Sequence, residues 1–143
     1  SGAVLSGVDP RVKVALQTYG KELGMAFQLM DDVLDYEGKT GDLGKNVGDD
    51  LAEGKVTLPL IVTLACGTVE QQTLIRSAIT DAAAKPNFRA IIEAVRLSGG
   101  IDRTISQAQQ HRDLALEQIN VLDASPFKSA LSQLICFSVE RQT

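Results

Sequence analysis

Apolar residues recur in alternating steps of four and three over the first part of the chain. The set is Val12, Leu16, Tyr19, Leu23, Ala26, Met30 and Leu34. This spacing places them on one stripe of a helix with 3.6 residues per turn. Asp9 can cap such a helix, Pro10 suits its first turn, and Gly38 is a natural stop. The pattern therefore predicts a helix from Pro10 to Tyr36, about 40 Å long.

Periodicity and breaking residues divide the rest of the chain into shorter helices. We predict helices over residues 57–65, 68–84, 88–97 and 101–122, and a last one from Ser125 onwards. Thr68 and Gln71 have the spacing of a capping box, and Asn87 ends a break between two helices. The last helix is expected to bury Phe127, Leu131, Leu134 and Ile135. A short strand is the alternative for the run Ile61, Val62 and Thr63.

These elements predict an all-α fold, a helical bundle in which residues 1–143 form a single domain. All four prolines lie at predicted breaks or helix starts, where they do least harm to a helix. A hydrophobic content of 44% is sufficient for a packed core. Cys66 and Cys136 show neither metal-ligand spacing nor the density of a disulfide scaffold. We therefore expect a reducing, cytoplasmic setting and two buried thiols.

Charge and hydropathy exclude two classes of partner. Fourteen Lys and Arg against eighteen Asp and Glu give a net charge of −4, which has the wrong sign for binding nucleic acid. The longest uninterrupted apolar stretch runs from Leu58 to Val62, whereas a transmembrane helix needs about 20 apolar residues. We expect neither a nucleic-acid partner nor a transmembrane segment.

Acidic residues are concentrated at the end of the first predicted helix and just beyond it. On a helical projection, one polar face carries Gly24, Gln28, Asp31, Asp32 and Asp35. Carboxylates one turn apart repel each other, and the helix dipole disfavours negative charge in the last turns. A divalent cation such as Mg²⁺ would offset this cost, because it prefers carboxylate and phosphate oxygens. The simpler alternative is a solvated face with no ligand.

A glycine-rich, charged stretch follows over residues 37–55. Its three lysines are Lys39, Lys45 and Lys55. Ammonium groups and free backbone N–H groups can hold phosphate oxygens that a metal also contacts. Asp49 and Asp50 are candidates for further ligands, or for caps of a helical turn. Gly20 and Gly24 leave room on the polar face for a ligand or for a closely packed helix.

The order of these residues resembles the second aspartate-rich region of the trans-isoprenyl (polyprenyl) diphosphate synthases. The matching segments are GMAFQLMDDVLDYEG, from Gly24 to Gly38, and GKNVGDDLAEGKVTLPLI, from Gly44 to Ile61. DDxxD alone is a weak signal, but FQ, DDxxD, GK, DD and GKxTLP in this order are specific. The resemblance extends to the C-terminus and is greatest to the octaprenyl-forming members.

The resemblance implies a prenyltransferase that condenses isopentenyl diphosphate with an allylic diphosphate by Mg²⁺-assisted ionisation. Asp31 would be a direct Mg²⁺ ligand, Asp35 a ligand directly or through water, and Asp32 a supporting group. Lys45 and Lys55 would hold the departing diphosphate. Gln28 would face the reacting allyl group, and Phe27 would lie near the substrate pocket.

The chain departs from the family pattern because it carries only the second of two aspartate-rich clusters. It resembles the C-terminal half of such an enzyme, so we expect it to be inactive alone and to form homo-oligomers through apolar helix faces. His111, the only histidine, is expected at the surface or an interface. Two alternatives to prenyl transfer are the Mg²⁺–diphosphate site of a related terpene cyclase and a structural helical module.

Overall fold

A computed structural model describes residues 9–37, 50–51, 53–80 and 87–140. Six α-helices are assigned in these residues, and no strand occurs among them. They are α1 (Pro10–Leu34), α2 (Leu58–Cys66), α3 (Val69–Thr80), α4 (Phe88–Leu97), α5 (Gly100–Gln118) and α6 (Pro126–Val139), with a 3₁₀ turn at Ile119–Val121. The all-α prediction is confirmed. The strand alternative is wrong, because Ile61, Val62 and Thr63 lie inside α2.

The predicted helix starts agree with the structure to within one residue, and the caps expected at Asp9 and at Thr68 with Gln71 are present. The Asp9 carboxylate accepts from the N–H of Arg11 at 2.9 Å. At the start of α3, the N–H of Thr68 donates to the Gln71 side chain at 2.8 Å and the N–H of Gln71 donates to the Thr68 hydroxyl at 3.2 Å. These reciprocal bonds form a capping box. The side chains of Asn87 and Ser125 cap α4 and α6 by accepting from the N–H groups of Ala90 and Lys128.

Several burial predictions are wrong. Leu34, Phe127 and Leu134 are about half exposed, and Cys66 and Cys136 are exposed rather than buried. In α1 the buried stripe passes through Ala15, Tyr19, Ala26, Met30 and Val33. Leu34 is one residue, or about 100° of helical rotation, away from Val33, so it points away from the core.

The contacts divide the chain into two units. The first comprises residues 1–28 and 107–143. In this unit the Tyr19 hydroxyl donates to the Leu131 carbonyl at 2.7 Å. His111 Nδ1 pairs with the Glu22 carboxylate, and both side chains are largely buried. His111 therefore has a partner on α1, and its place at the surface or an interface stays a prediction.

The second unit, residues 29–106, holds the aspartates of α1 and α2 to α4. Its buried core consists of Val33, Tyr36, Leu51, Leu60, Ile75, Ile91, Ile92, Val95 and Ile101. The start of α5 packs tightly here: a Cβ added to Gly100 would lie 2.7 Å from the carbonyl oxygen of Pro59. None of the described helices is long and apolar enough to cross a membrane.

Candidate functional site

The three aspartates at the end of α1 have different environments. Asp31 is exposed, Asp35 is half-buried, and Asp32 is only 7% exposed. The predicted polar face is therefore not uniformly solvated, because the carboxylate of Asp32 turns into the protein. A carboxylate that is buried in this way needs compensating interactions.

α1 ends in a tight turn that follows these aspartates. The N–H groups of Tyr36 and Glu37 donate to the carbonyls of Val33 and Leu34 at 3.0 and 3.1 Å. These bonds span three residues, which is typical of a helix end that tightens into a 3₁₀ turn. Arg96, at the end of α4, donates from Nη2 to the carbonyl of Tyr36 at 3.0 Å. The exit from α1 is thus held by a second helix of the same unit.

The side chain of Tyr36 lies among carboxylates from two segments. It is 2% exposed, and this burial raises the pKa of its hydroxyl well above the ordinary value. A hydrogen bond with the Thr57 side chain opposes the rise, while the negative charges of Asp35, Asp50 and Asp32 add to it. Leu51, which follows Asp50, packs in the same buried core as Val33 and Tyr36, so Asp50 lies near the end of α1.

The chain from Asp50 to Lys55 forms a helix-ending turn. The N–H of Lys55 donates to the carbonyl of Asp50 at 2.8 Å, and the N–H of Gly54 donates to the carbonyl of Leu51 at 3.0 Å. Gly54 has a φ of 75°. Such a pair of bonds around a left-handed glycine is a Schellman motif. It fixes the backbone of Lys55, whose side chain is exposed.

Thr57 begins α2 but does not cap it through its side chain. Its backbone has the extended geometry of an N-cap residue, with φ −89° and ψ 167°, yet its hydroxyl makes no cap hydrogen bond. Thr57 is 8% exposed, and its side chain acts on the Tyr36 hydroxyl, whose pKa it lowers.

The donor chemistry of the acidic cluster suits a hard divalent cation. Among the described residues, no three His, Cys, Asp or Glu side chains are arranged so that they could hold a metal ion by themselves. Mg²⁺ in phosphate-binding enzymes is usually held by one or two carboxylates together with waters and substrate phosphates. The exposed Asp31 and the half-buried Asp35, one helical turn apart, fit that smaller requirement.

The structure brings together only part of the predicted site. Phe27 and Gln28 are exposed one turn before the aspartates of α1, and Phe27 is 61% exposed. Lys55 is in the same unit as the aspartates. Lys39, Lys45 and Asp49 lie outside the described residues.

Comparison with known proteins decides the family. Residues 1–95 match the family model for polyprenyl synthetases. The chain belongs to the polyprenyl synthetase family. It is 41% identical over 138 residues to the octaprenyl diphosphate synthase of Escherichia coli K12, covering 96% of this chain and 43% of that protein. It is 36% identical to solanesyl diphosphate synthase 2 of Arabidopsis thaliana chloroplasts, covering 97% of this chain and 32% of that protein.

The fold is also that of solved polyprenyl synthases. A structure from Caulobacter crescentus CB15, complexed with calcium and isoprenyl diphosphate, is 40% identical and has a TM-score of 0.85. The match covers 99% of this chain and 44% of the Caulobacter chain. The chain therefore has the all-α architecture of polyprenyl synthases and spans less than half the length of these relatives.

Sequence reasoning missed three residues of this region. The sequence indicates only that Tyr36 ends a helix and that Thr57 starts one, and it gives no signal for Arg96. The one local signal is that Thr57 stands two residues before Pro59, which lies in the first turn of α2 and already favours a helix start. No sequence pattern pairs Thr57 with Tyr36.

Proposed function

We propose that this chain is the part of a trans-polyprenyl diphosphate synthase that carries the second aspartate-rich motif. The complete enzyme would condense isopentenyl diphosphate with an allylic diphosphate. The observation that carries this proposal is that the end of α1 and the Asp50–Lys55 turn share one buried core, in which Val33 and Tyr36 pack together with Leu51. The named products of the relatives, including octaprenyl diphosphate, support this substrate class.

In this proposal the carboxylates hold Mg²⁺ and the lysines hold diphosphate. Asp31 and Asp35 would bind the metal, with Asp32 supporting them from its buried position. Lys55, and Lys45 outside the described residues, would contact diphosphate oxygens as the negative charge on them grows. Bound Mg²⁺ stabilises that charge. The calcium and isoprenyl diphosphate in the Caulobacter relative are consistent with these ligands.

Phe27 and Gln28 are proposed to contact the hydrocarbon end of the allylic substrate. Both are exposed on α1 in the turn before Asp31. A benzyl side chain can cover an apolar prenyl chain, and an amide dipole can stabilise positive charge on the allyl group as diphosphate leaves. We assign these roles because the two residues lie on α1 one turn before the proposed metal ligand Asp31.

We propose that the chain alone has no catalytic activity and that copies of it associate with one another. Many large apolar side chains are at least 40% exposed, among them Val14, Met25, Phe127, Leu134 and Phe137. Where such side chains form a contiguous patch larger than a few hundred Å², the patch usually binds a partner. Homo-oligomers, in the cytoplasm, are the proposed form. A monodisperse monomer by light scattering at high concentration, or isopentenyl incorporation by the chain alone, would contradict these two points.

Calorimetric titration with inorganic diphosphate tests the site itself. The chain should bind diphosphate in the presence of Mg²⁺ and lose that binding when EDTA is added. Asp31→Asn should weaken binding by about tenfold or more, as expected when a charge-assisted contact is lost. Glu93→Gln, which neutralises an exposed acid of α4, is the matched control and should bind as the wild type does.

The same titration separates the alternatives. A structural helical module would show no Mg²⁺-dependent binding of diphosphate. A terpene cyclase would show it but would give cyclic products when the complete enzyme is supplied with an allylic diphosphate. A linear product that is longer by isoprene units would support the synthase.

A further inference from the structure

Arg96 ties the end of α4 to the residue that follows the α1 aspartates. Its Nη2 donates to the Tyr36 carbonyl at 3.0 Å, although the two residues are 60 positions apart in sequence. Tyr36 comes directly after Asp35, and its side chain is buried in the core of the unit. The hydrogen bond therefore acts on backbone that adjoins a proposed metal ligand.

The end of α1 has no cation of its own. Its last turn contains Asp31 and Asp32 and no basic residue. Carbonyl groups at a helix C-terminus have no partner within the helix, and basic side chains commonly bond to them and offset the negative end of the helix dipole. Arg96 supplies both the donor and the positive charge from another helix.

The backbone that carries Arg96 is itself fixed. The N–H of Ser98 donates to the Ala94 carbonyl at 3.0 Å, and the N–H of Gly99 donates to the Arg96 carbonyl at 3.3 Å. The Ser98 hydroxyl lies 2.8 Å from the Thr63 hydroxyl of α2 and shares a hydrogen bond with it. Since Thr63 is fully buried, the end of α4 is anchored on α2.

α2 is also the helix that follows the candidate diphosphate-binding lysine. Lys55 stands three residues before Leu58, the first residue of α2. A continuous path of covalent and hydrogen bonds therefore runs from the lysine through α2 and Arg96 to the end of α1. All of this path lies within residues 29–106, the unit that holds the proposed site.

We propose that Arg96 is a positioning residue that, by holding the Tyr36 carbonyl, fixes the end of α1 so that Asp35 binds the metal together with Asp31. This inference rests on the proposed function, in which those carboxylates bind Mg²⁺ and diphosphate. Carboxylates that are already fixed bind such a complex better than mobile ones, because less conformational freedom is lost on binding. Arg96 does not need to touch the ligand.

The test is the affinity of the full chain for inorganic diphosphate at saturating Mg²⁺. Arg96→Met keeps an aliphatic stem but removes the donor, and it should raise the Kd about fivefold, the effect of one ordinary hydrogen bond. Arg89→Met is the matched control, because Arg89 is also an exposed arginine of α4, about two helical turns earlier. It should leave the Kd unchanged.

A double-mutant cycle shows whether Arg96 acts through the α1 carboxylates. Arg96→Met should raise the Kd less in an Asp35→Asn background than in the wild type, because the carboxylate that it positions is then already gone. The same rise in both backgrounds would overturn the inference, since it would mean that Arg96 acts on the ligand independently of Asp35.

Salt separates positioning from simple attraction between the arginine and diphosphate. An exposed charge that attracts the ligand from a distance loses its effect in about 1 M KCl, where the screening length is about 3 Å. The ratio of the Kd of Arg96→Met to that of the wild type should persist under these conditions. A ratio that falls to one would overturn the inference.

Melting temperature shows whether the hydrogen bond is only structural. If Arg96→Met lowers the melting temperature but leaves the Kd at the wild-type value, the bond only stabilises the fold and the inference is wrong. If the wild-type chain itself binds no diphosphate with Mg²⁺, the proposed function fails and this inference fails with it. If the wild type binds, Asp31→Asn binds weakly and Arg96→Met binds normally, only the positioning role fails.

Discussion

The backbone N–H of Lys55 donates to the carbonyl oxygen of Asp50 at 2.8 Å. A candidate diphosphate-binding lysine and a carboxylate near the α1 aspartates are therefore fixed by one turn. The turn depends on Gly54, which lies between them with a φ of 75°. Only glycine adopts this conformation without strain, although asparagine tolerates it better than other residues do.

Gly54→Ala should destabilise the protein by about 1 kcal/mol through backbone strain. An added Cβ would meet nothing within 4 Å, so a steric clash contributes nothing to this value. Gly54→Asn should cost less, because asparagine enters the left-handed region more readily. Urea denaturation of the three proteins measures the difference. Equal stability of the alanine and asparagine variants would show that strain at this position is unimportant.

Gly100→Ala and Gly24→Ala should change the stability of the protein in opposite directions. A Cβ at Gly100 would lie 2.7 Å from the Pro59 carbonyl oxygen, so α5 must shift, at a cost of about 1–3 kcal/mol. Gly24 is inside α1 with nothing within 4 Å of the added Cβ, so alanine there should stabilise by about 0.5–1 kcal/mol. Thermal melts of both variants check this. A stabilising Gly100→Ala would contradict the close packing.

Stability should fall at alkaline pH because of the two tyrosines. Burial raises the pKa of Tyr36, and burial followed by the charge of Cys136 raises that of Tyr19. Folding therefore favours the neutral phenols, and their contribution is complete below the unfolded pKa of about 10. It is lost as the pH rises above that value.

Urea denaturation from pH 8 to 11 should show this loss, with tyrosinate absorbance appearing only as the protein unfolds. Tyr36→Phe should reduce the loss more than Tyr19→Phe does, because Tyr36 has the larger rise in pKa. Free titration of both tyrosines near pH 10 in the folded protein would contradict the assigned burial.

Helix ends could be predicted because their causes are local. The Thr68–Gln71 capping box and the Ser125 cap before Pro126 involve side chains within three residues of each other. Asp9 and Asn87 act in the same way at their helices. In each case a short polar side chain accepts from an N–H that the helix leaves unsatisfied. The sequence contains all the information that such a contact requires.

Burial was harder to predict because it depends on which neighbours a face meets. α6 carries more apolar surface than its own unit covers, so Ile135 is buried while Phe127 and Leu134 are half exposed. Periodicity identifies an apolar face, but it cannot say whether this chain or another one covers it. The predicted burial of Cys66 and Cys136 is wrong for the same reason, since both are exposed.

The candidate site was predictable as a list of residues but not as an arrangement. Asp31, Asp32 and Asp35 share a helix face by spacing alone. The burial of Asp32 depends on the core around it. The packing of Tyr36 with Leu51 and the bond from Arg96 to the Tyr36 carbonyl join residues 15 to 60 positions apart. Contacts of this kind arise only when the chain is folded.

The proposed roles can be ranked by the effect of each alanine substitution on turnover by the complete synthase. Asp31→Ala should reduce turnover most, Asp35→Ala less, and Lys45→Ala or Lys55→Ala by about 10²-fold, the low end for one preorganised electrostatic contact. His111→Ala should leave turnover per folded molecule nearly unchanged. It should lower the melting temperature, because it leaves the largely buried Glu22 without its partner.

The central claim is that Asp31 binds the metal. Its most direct test compares the turnover of the wild type and Asp31→Ala at saturating substrates and Mg²⁺, together with the melting temperature of each protein. Asp31 is exposed, so the account predicts a large loss of turnover with an unchanged or slightly higher melting temperature, as repulsion from Asp35 is relieved. Near-normal turnover, or a loss explained by unfolding, would contradict the metal-ligand assignment and leave the α1 aspartates as a solvated helix face.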